Sequence, residues 1–197
     1  MALRVIGICG SMKPKSSTAF VINYALGVAK EAGAEIEFYD ISEHDLPFCD
    51  GRDDESTYPT QVQEFRNLIK SAQGVIIGTP EYHNSYTGSL KNALDLCGFE
   101  EFEHKMVGII GVAGGGMGAA NAIAHLRAVM RGVGAWVVPH QVSISHSGKI
   151  FSSDGTLGDP ALEKRLKKLG TDVTKYARLF TAVIVSRKDN RMFNIHL

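Results

Sequence analysis

Four hydroxyl side chains, Ser11, Ser16, Ser17 and Thr18, fall within eight residues of one another in the stretch Gly10-Ser11-Met12-Lys13-Pro14-Lys15-Ser16-Ser17-Thr18. Placed at the start of a helix, such a stretch holds a phosphate. Unsatisfied backbone N–H groups and the positive end of the helix dipole attract the anion, and hydroxyls add donors without adding fixed charge. Lys13 supplies one cation. A Ser/Thr helix cap is the plainer reading of any one of these hydroxyls, but four exceed what a cap requires. The spacing matches neither GxxxxGK[ST] nor GxGxxG, which disfavours a nucleoside triphosphate and suits a monophosphate in a single cradle.

A second segment, Thr79-Pro80-Glu81-Tyr82-His83-Asn84-Ser85-Tyr86-Thr87-Gly88, offers flat surfaces and hydrogen-bonding groups together. Pro80 keeps Thr79 extended, and the Tyr, His, Asn and Ser side chains suit a planar ring with polar edges. Taken singly, each of these residues also fits a polar surface loop. The third segment is Ala113-Gly114-Gly115-Gly116-Met117-Gly118. Glycines let backbone amides come close to a ligand, and amides aimed at a ring edge stabilise negative charge developing there. On its own a glycine run is equally a flexible turn.

All three segments follow predicted strands. Apolar runs rich in β-branched residues alternate with segments of helical period, the pattern of parallel strands joined by crossover helices. Strands are expected at Leu3 to Cys9, Glu35 to Tyr39, Gly74 to Thr79, Met106 to Val112 and from Ala135 to Val138. Helices are expected at Thr18 to Glu31, Gln61 to Ala72, Ser89 to Cys97, Ala120 to Arg131 and from Asp159-Pro160 through about Leu179. On the first helix Val21, Ile22, Ala25, Leu26 and Ala29 share one face. The polar stretch Asp40 to Pro59 reads as a long loop and a candidate lid, and Ser186 to Leu197 has no assignable pattern. In an open parallel sheet, ligands bind beyond the carboxyl ends of the strands, where strand order reverses. The three unusual segments fall there.

The 197 residues, 44% hydrophobic, suffice for one domain spanning 1–197 with its own core. Lys plus Arg and Asp plus Glu number 21 each, so the net charge is zero and gives no general attraction for nucleic acid or anionic membrane. Cys9, Cys49 and Cys97 are widely spaced and odd in number, which suits reduced thiols in a cytoplasm. No secretory leader or membrane-length apolar run is apparent. The histidines, His140 and His146 included, lack metal-ligand spacing, so no metal is expected.

Gly78 to Asp95, containing Pro80-Glu81-Tyr82, Ser85, Gly88 and Leu90-Lys91-Asn92-Ala93-Leu94-Asp95, resembles a signature of the NADPH-dependent FMN reductase family. That family includes quinone, chromate and azo-dye reductases. Gly10-Ser11, Lys13 and Ser16 resemble its phosphate loop, with Lys13 where arginine is frequent; lysine keeps the charge but loses the bidentate fork. The resemblance covers roughly Leu3 to Val142, through the glycine run and Leu126-Arg127. It implies a flavodoxin-like three-layer sandwich: a five-stranded parallel sheet in order 2-1-3-4-5 with helices on both faces. It also implies that Ser11, Lys13, Ser16, Ser17 and Thr18 hold the FMN phosphate. Pro80, Glu81, Tyr82, His83, Asn84 and Ser85 would then line the flavin, with Gly114, Gly115 and Gly116 at its pyrimidine side.

The implied activity is oxidation of NADPH, with NADH possible, and reduction of small acceptors: quinones, flavin, ferric or chromate ions, azo compounds. Hydride passing through flavin N5 gives ping-pong kinetics, and no side-chain acid or base is expected to be indispensable. Homodimers or homotetramers are implied, with Ser89 to Phe99 a candidate subunit boundary; Lys91 and Asp95 at i, i+4 are equally a surface pair. Two rivals remain: a flavin-free nicotinamide enzyme, for which no GxGxxG with a following acidic residue is found, and a flavodoxin-type electron carrier.

Overall fold

Beta-branched residues at the centre of the chain are buried on both sides, as a parallel sheet covered on both faces requires. The computed structural model describes residues 2–150 and 156–188. Strands β1 (Arg4–Cys9), β2 (Glu35–Asp40), β3 (Gly74–Pro80), β4 (Met106–Val112) and β5 (Trp136–Val137) pair in parallel in the order β2-β1-β3-β4-β5. Every residue of β3 and β4 is buried, whereas the edge strand β2 is buried only at Tyr39 and Asp40. Beyond β5 the fifth lane breaks. Pro139 lacks the N–H a ladder needs, and the chain rejoins the upper half of β4 as β6 (Val142–Ile144), again parallel. The strand expected from Ala135 is therefore two short pieces. Arg127 braces the break by donating to the carbonyl oxygens of Val138 and Pro139.

Helices α1 (Ser17–Glu31), α2 (Thr60–Ser71), α3 (Gly88–Asp95), α4 (Phe99–Phe102), α5 (Ala120–Gly132) and α6 (Pro160–Lys188) cover the sheet. The alternation along β1, β3 and β4 sends Val5, Ile76 and Ile110 to one core, and Ile6, Ile77 and Ile109 to the other. Helices α1 and α6 close the first core; α2, α3 and α5 close the second. Val21, Ile22, Ala25, Leu26 and Ala29 are fully buried on the predicted face of α1, and burying each Ile or Leu contributes about 1.5–3 kcal/mol. The one-turn α4 was too short to show a helical period in the sequence. Helix α6 runs past Leu179 to Lys188, taking in Ser186, and residues 189–197 lie outside the described part. None of the described helices is long and apolar enough to cross a membrane.

Candidate functional site

The first loop ends on Ser16, which caps α1: its Oγ accepts from the Ala19 N–H at 3.0 Å. The first intrahelical bond runs from Phe20 N–H to Ser16 O, so the amides of Ser17 and Thr18 precede it, as the geometry of a helix start dictates. Ser11 Oγ likewise accepts a backbone N–H, that of Lys13, at 3.3 Å. A hydroxyl that accepts in this way keeps its own proton to donate. Ser11 and Ser16 are buried, Lys13 and Lys15 exposed, and Lys15 adopts a left-handed conformation with φ 51°. Ser17 Oγ donates to Ser147 O at 3.4 Å. Thr18 faces inward, its methyl among the atoms packed against Gly78. Beneath the loop lies Cys9, 3.9 Å from Ser16 Oγ, where burial pushes its thiol up to about 11.

The second loop is a tight hairpin. Tyr82 and Ser85 exchange both backbone hydrogen bonds, at 3.0 and 3.1 Å, and His83 and Asn84 between them have φ of 51° and 63°. Two successive positive φ values define the type I′ geometry of a two-residue turn, which Asn tolerates well. Tyr82 is thereby held 56% exposed. Thr87 fastens this loop to the first: its Oγ1 donates to Gly10 O at 2.6 Å, while the same oxygen accepts from Leu90 N–H as the cap of α3. On the other side, Glu81 Oε2 accepts from Ala122 N–H at 2.8 Å and Ser85 Oγ lies 3.1 Å from His125 Nδ1, both on α5.

The glycine loop closes the third side. Gly114, Gly115 and Gly116 are exposed, and at Gly114 and Gly115 an added Cβ would meet nothing within 4 Å. The segment after β6 backs the loop: His146 N–H donates to Gly115 O and Ser147 N–H to Ala113 O. A cleft of about 430 Å³ opens beside the first loop, between Met12, the Ile41–Phe48 segment and the start of α3 at Ser89 and Asn92. Asn92 pins that segment by accepting from Cys49 N–H and donating to Pro47 O, both at 2.9 Å. The stretch read as a candidate lid is thus tied down at its middle.

The fold brings all fourteen sequence-named residues to one edge of the sheet, with different tasks. Ser11, Ser16 and Ser17 surround the start of α1; Tyr82, His83 and Asn84 project from the hairpin; the Glu81 carboxylate and Ser85 hydroxyl turn to α5. His125 and His146 join the site unannounced. An isolated histidine in a sequence carries no signal of its neighbours; only the helix register of α5 and the left-handed backbone at His146 (φ 48°) bring them in. Comparison with known proteins decides the family, because the NADPH-dependent FMN reductase model matches residues 3–149. This chain belongs to that family. It is an oxidoreductase whose cofactors are FMN and NADPH.

Among similar proteins, an NADPH azoreductase of Bacillus sp. (strain OY1-2) is 38% identical over 149 residues, covering 76% of this chain and 79% of the relative. An FMN-dependent NADPH-azoreductase of Staphylococcus aureus (strain USA300) is 32% identical over 188 residues, 93% of this chain and 94% of the relative. In fold, the flavoenzyme NAD(P)H:(acceptor) oxidoreductase FerB of Paracoccus denitrificans superposes with a TM-score of 0.73 at 24% identity, covering 91% and 99% of the two chains. An archaeal flavodoxin gives 0.63 at 10% identity, covering 89% and 99%. The flavodoxin-like sandwich expected of this family is therefore the fold observed.

The donor set fits FMN. A phosphate ester needs donors and a positive end, and Gly10 to Thr18 presents free amides, serine hydroxyls and Lys13 without a single carboxylate. Bound FMN supplies the redox chemistry. What the chain itself presents is the capped start of α1, the exposed Tyr82 hairpin and the uncrowded backbone of Gly114 and Gly115.

Proposed function

We propose that this reductase oxidises NADPH, or NADH, and passes the electrons through FMN to small acceptors: azo compounds, quinones, free flavin, ferric or chromate ions. The observation carrying this reading is the convergence of three strand-end loops on one open sheet edge, the first bonded to the second through Thr87 and Gly10 and the second to the third through Glu81. Azo compounds head the acceptor series because the relatives at 38% and 32% identity are named azoreductases. Ser11, Lys13, Ser16 and Ser17, with Thr18 through its backbone amide, serve the phosphate; Pro80 to Ser85 serve the ring face, Glu81 through its backbone alone; Gly114, Gly115 and Gly116 serve the pyrimidine edge. Donor and acceptor then use one open face in turn, giving ping-pong kinetics.

The chain acts as one domain in the cytoplasm, consistent with its three free cysteines, and as a homodimer or homotetramer. Phe99 (61% exposed) supports a subunit boundary at Ser89 to Phe99. The test is steady-state NADPH and NADH oxidation by the FMN-loaded protein with methyl red, a benzoquinone, ferric citrate and chromate in turn. Parallel double-reciprocal lines are expected, and intersecting lines rule out the ping-pong cycle. FMN binding without nicotinamide oxidation under any acceptor identifies an electron carrier instead.

A further inference from the structure

Glu81 touches both ends of the glycine loop. Its backbone N–H donates to Val112 O at 2.8 Å, where β4 ends, and its side-chain Oε2 accepts from Ala122 N–H at 2.8 Å, in the first turn of α5. The residues between these two anchors are the loop itself. Helix α5 has no side-chain cap of its own: Ala119 at its N-cap has no side-chain acceptor, and its first turn holds no acidic residue. An acceptor oxygen from another strand end supplies what the helix lacks, on an N–H that no carbonyl of the helix reaches. One turn along α5, Ser85 and His125 repeat the attachment. The hairpin and the glycine loop, two walls of the site, are therefore held at a fixed separation through residue 81.

We infer that Glu81 is a positioning residue of the FMN site: its carboxylate staples the glycine loop against the hairpin, and its side chain makes no contact with the flavin. The inference rests on the assignment of these loops to FMN. What matters is an acceptor oxygen at the right reach, so Glu81→Gln retains the function without the charge. Glu81→Asp, one methylene shorter, keeps the charge but withdraws the oxygen, and so loses the function. This ranking is the reverse of what a direct electrostatic role would give.

The experiment compares the wild type with Glu81→Gln, Glu81→Asp and Glu81→Ala in two measurements. One is amide hydrogen exchange across residues 112–124 in the FMN-free protein; the other is the FMN dissociation constant by fluorescence titration. Loss of the acceptor leaves the Ala122 N–H unpaired, an effect of roughly 10-fold. Amides of the loop and first turn of α5 should exchange roughly 10-fold faster in the Asp and Ala variants, and FMN should bind about 10-fold more weakly. The Gln variant should stay within about threefold of wild type in both. Unchanged exchange in Glu81→Asp overturns the staple, as does a Gln variant defective in FMN binding with normal exchange, the mark of a direct flavin contact. If the Ala variant does not fold, the Gln and Asp pair still decides. Wild-type protein that binds no FMN defeats the cofactor assignment alone, since the exchange data test the staple without flavin.

Discussion

Replacing Ser16 removes two interactions with separable signatures. Its oxygen caps α1 by accepting from Ala19 N–H at 3.0 Å, and its proton is the donor proposed for the FMN phosphate. Loss of a serine cap to alanine costs about 1 kcal/mol, whereas glycine in its place costs only a few tenths. For a chain of this size, 1 kcal/mol moves the denaturation midpoint by about 2–4 °C. Loss of a hydrogen bond to a charged group costs about 1.5–3 kcal/mol, equivalent to roughly 10- to 150-fold in FMN affinity. Ser16→Ala should therefore lower the midpoint of the FMN-free protein by a few degrees and weaken FMN. Ser16→Gly should leave the midpoint nearly unchanged and weaken FMN as much. Calorimetry of the FMN-free protein and fluorescence titration with FMN give the two numbers. If Ser16→Gly binds FMN within about twofold of wild type, Ser16 is a helix cap and nothing more, and the phosphate assignment loses its best-placed hydroxyl.

Gly78→Ala would set a Cβ 2.4 Å from Ile22 Cδ1, an overpacking that should cost about 1–3 kcal/mol; an unchanged urea midpoint would refute it. Gly114→Ala meets nothing within 4 Å, so stability should hold while FMN affinity falls, and unchanged affinity would remove Gly114 from the site. Cys9 is buried with its thiol pushed up to about 11, so iodoacetamide at pH 8 should leave it unmodified, as peptide mass mapping will show. Because the folded value exceeds the unfolded one, the stability Cys9 contributes is complete below its ordinary range near 9 and is lost as pH rises through about 11. A Cys9→Ala variant should flatten that part of the stability profile, and an identical profile would contradict the assignment.

The three loops of the candidate site were legible because each has a local rule. Hydroxyls followed by a helix-forming run mark a helix start; alternating apolar runs and helical periods mark strands with crossovers. The fold's strand order then leaves no choice about which end carries the ligand. Local rules also located the helices to within a residue or two at α1, α2 and α5, where the apolar residues recur with a clear helical period. They did less well where the chain breaks its own pattern. Pro139 splits the fifth lane into β5 and β6, and the single turn of α4 is shorter than any period that could announce it.

The amino-acid sequence by itself determined the parallel sheet and the three loops beyond its strands, since these follow from residue type and spacing along the chain; the family came from comparison with known proteins. Only the tertiary structure decided the roles within those loops. Glu81 serves α5, Thr87 binds the hairpin to Gly10, Thr18 turns inward, and His125 and His146 arrive from distant segments. A side chain's partner depends on which elements pack beside it. That packing is fixed by strand register and helix rotation across the sheet, over separations on which spacing along the chain is silent.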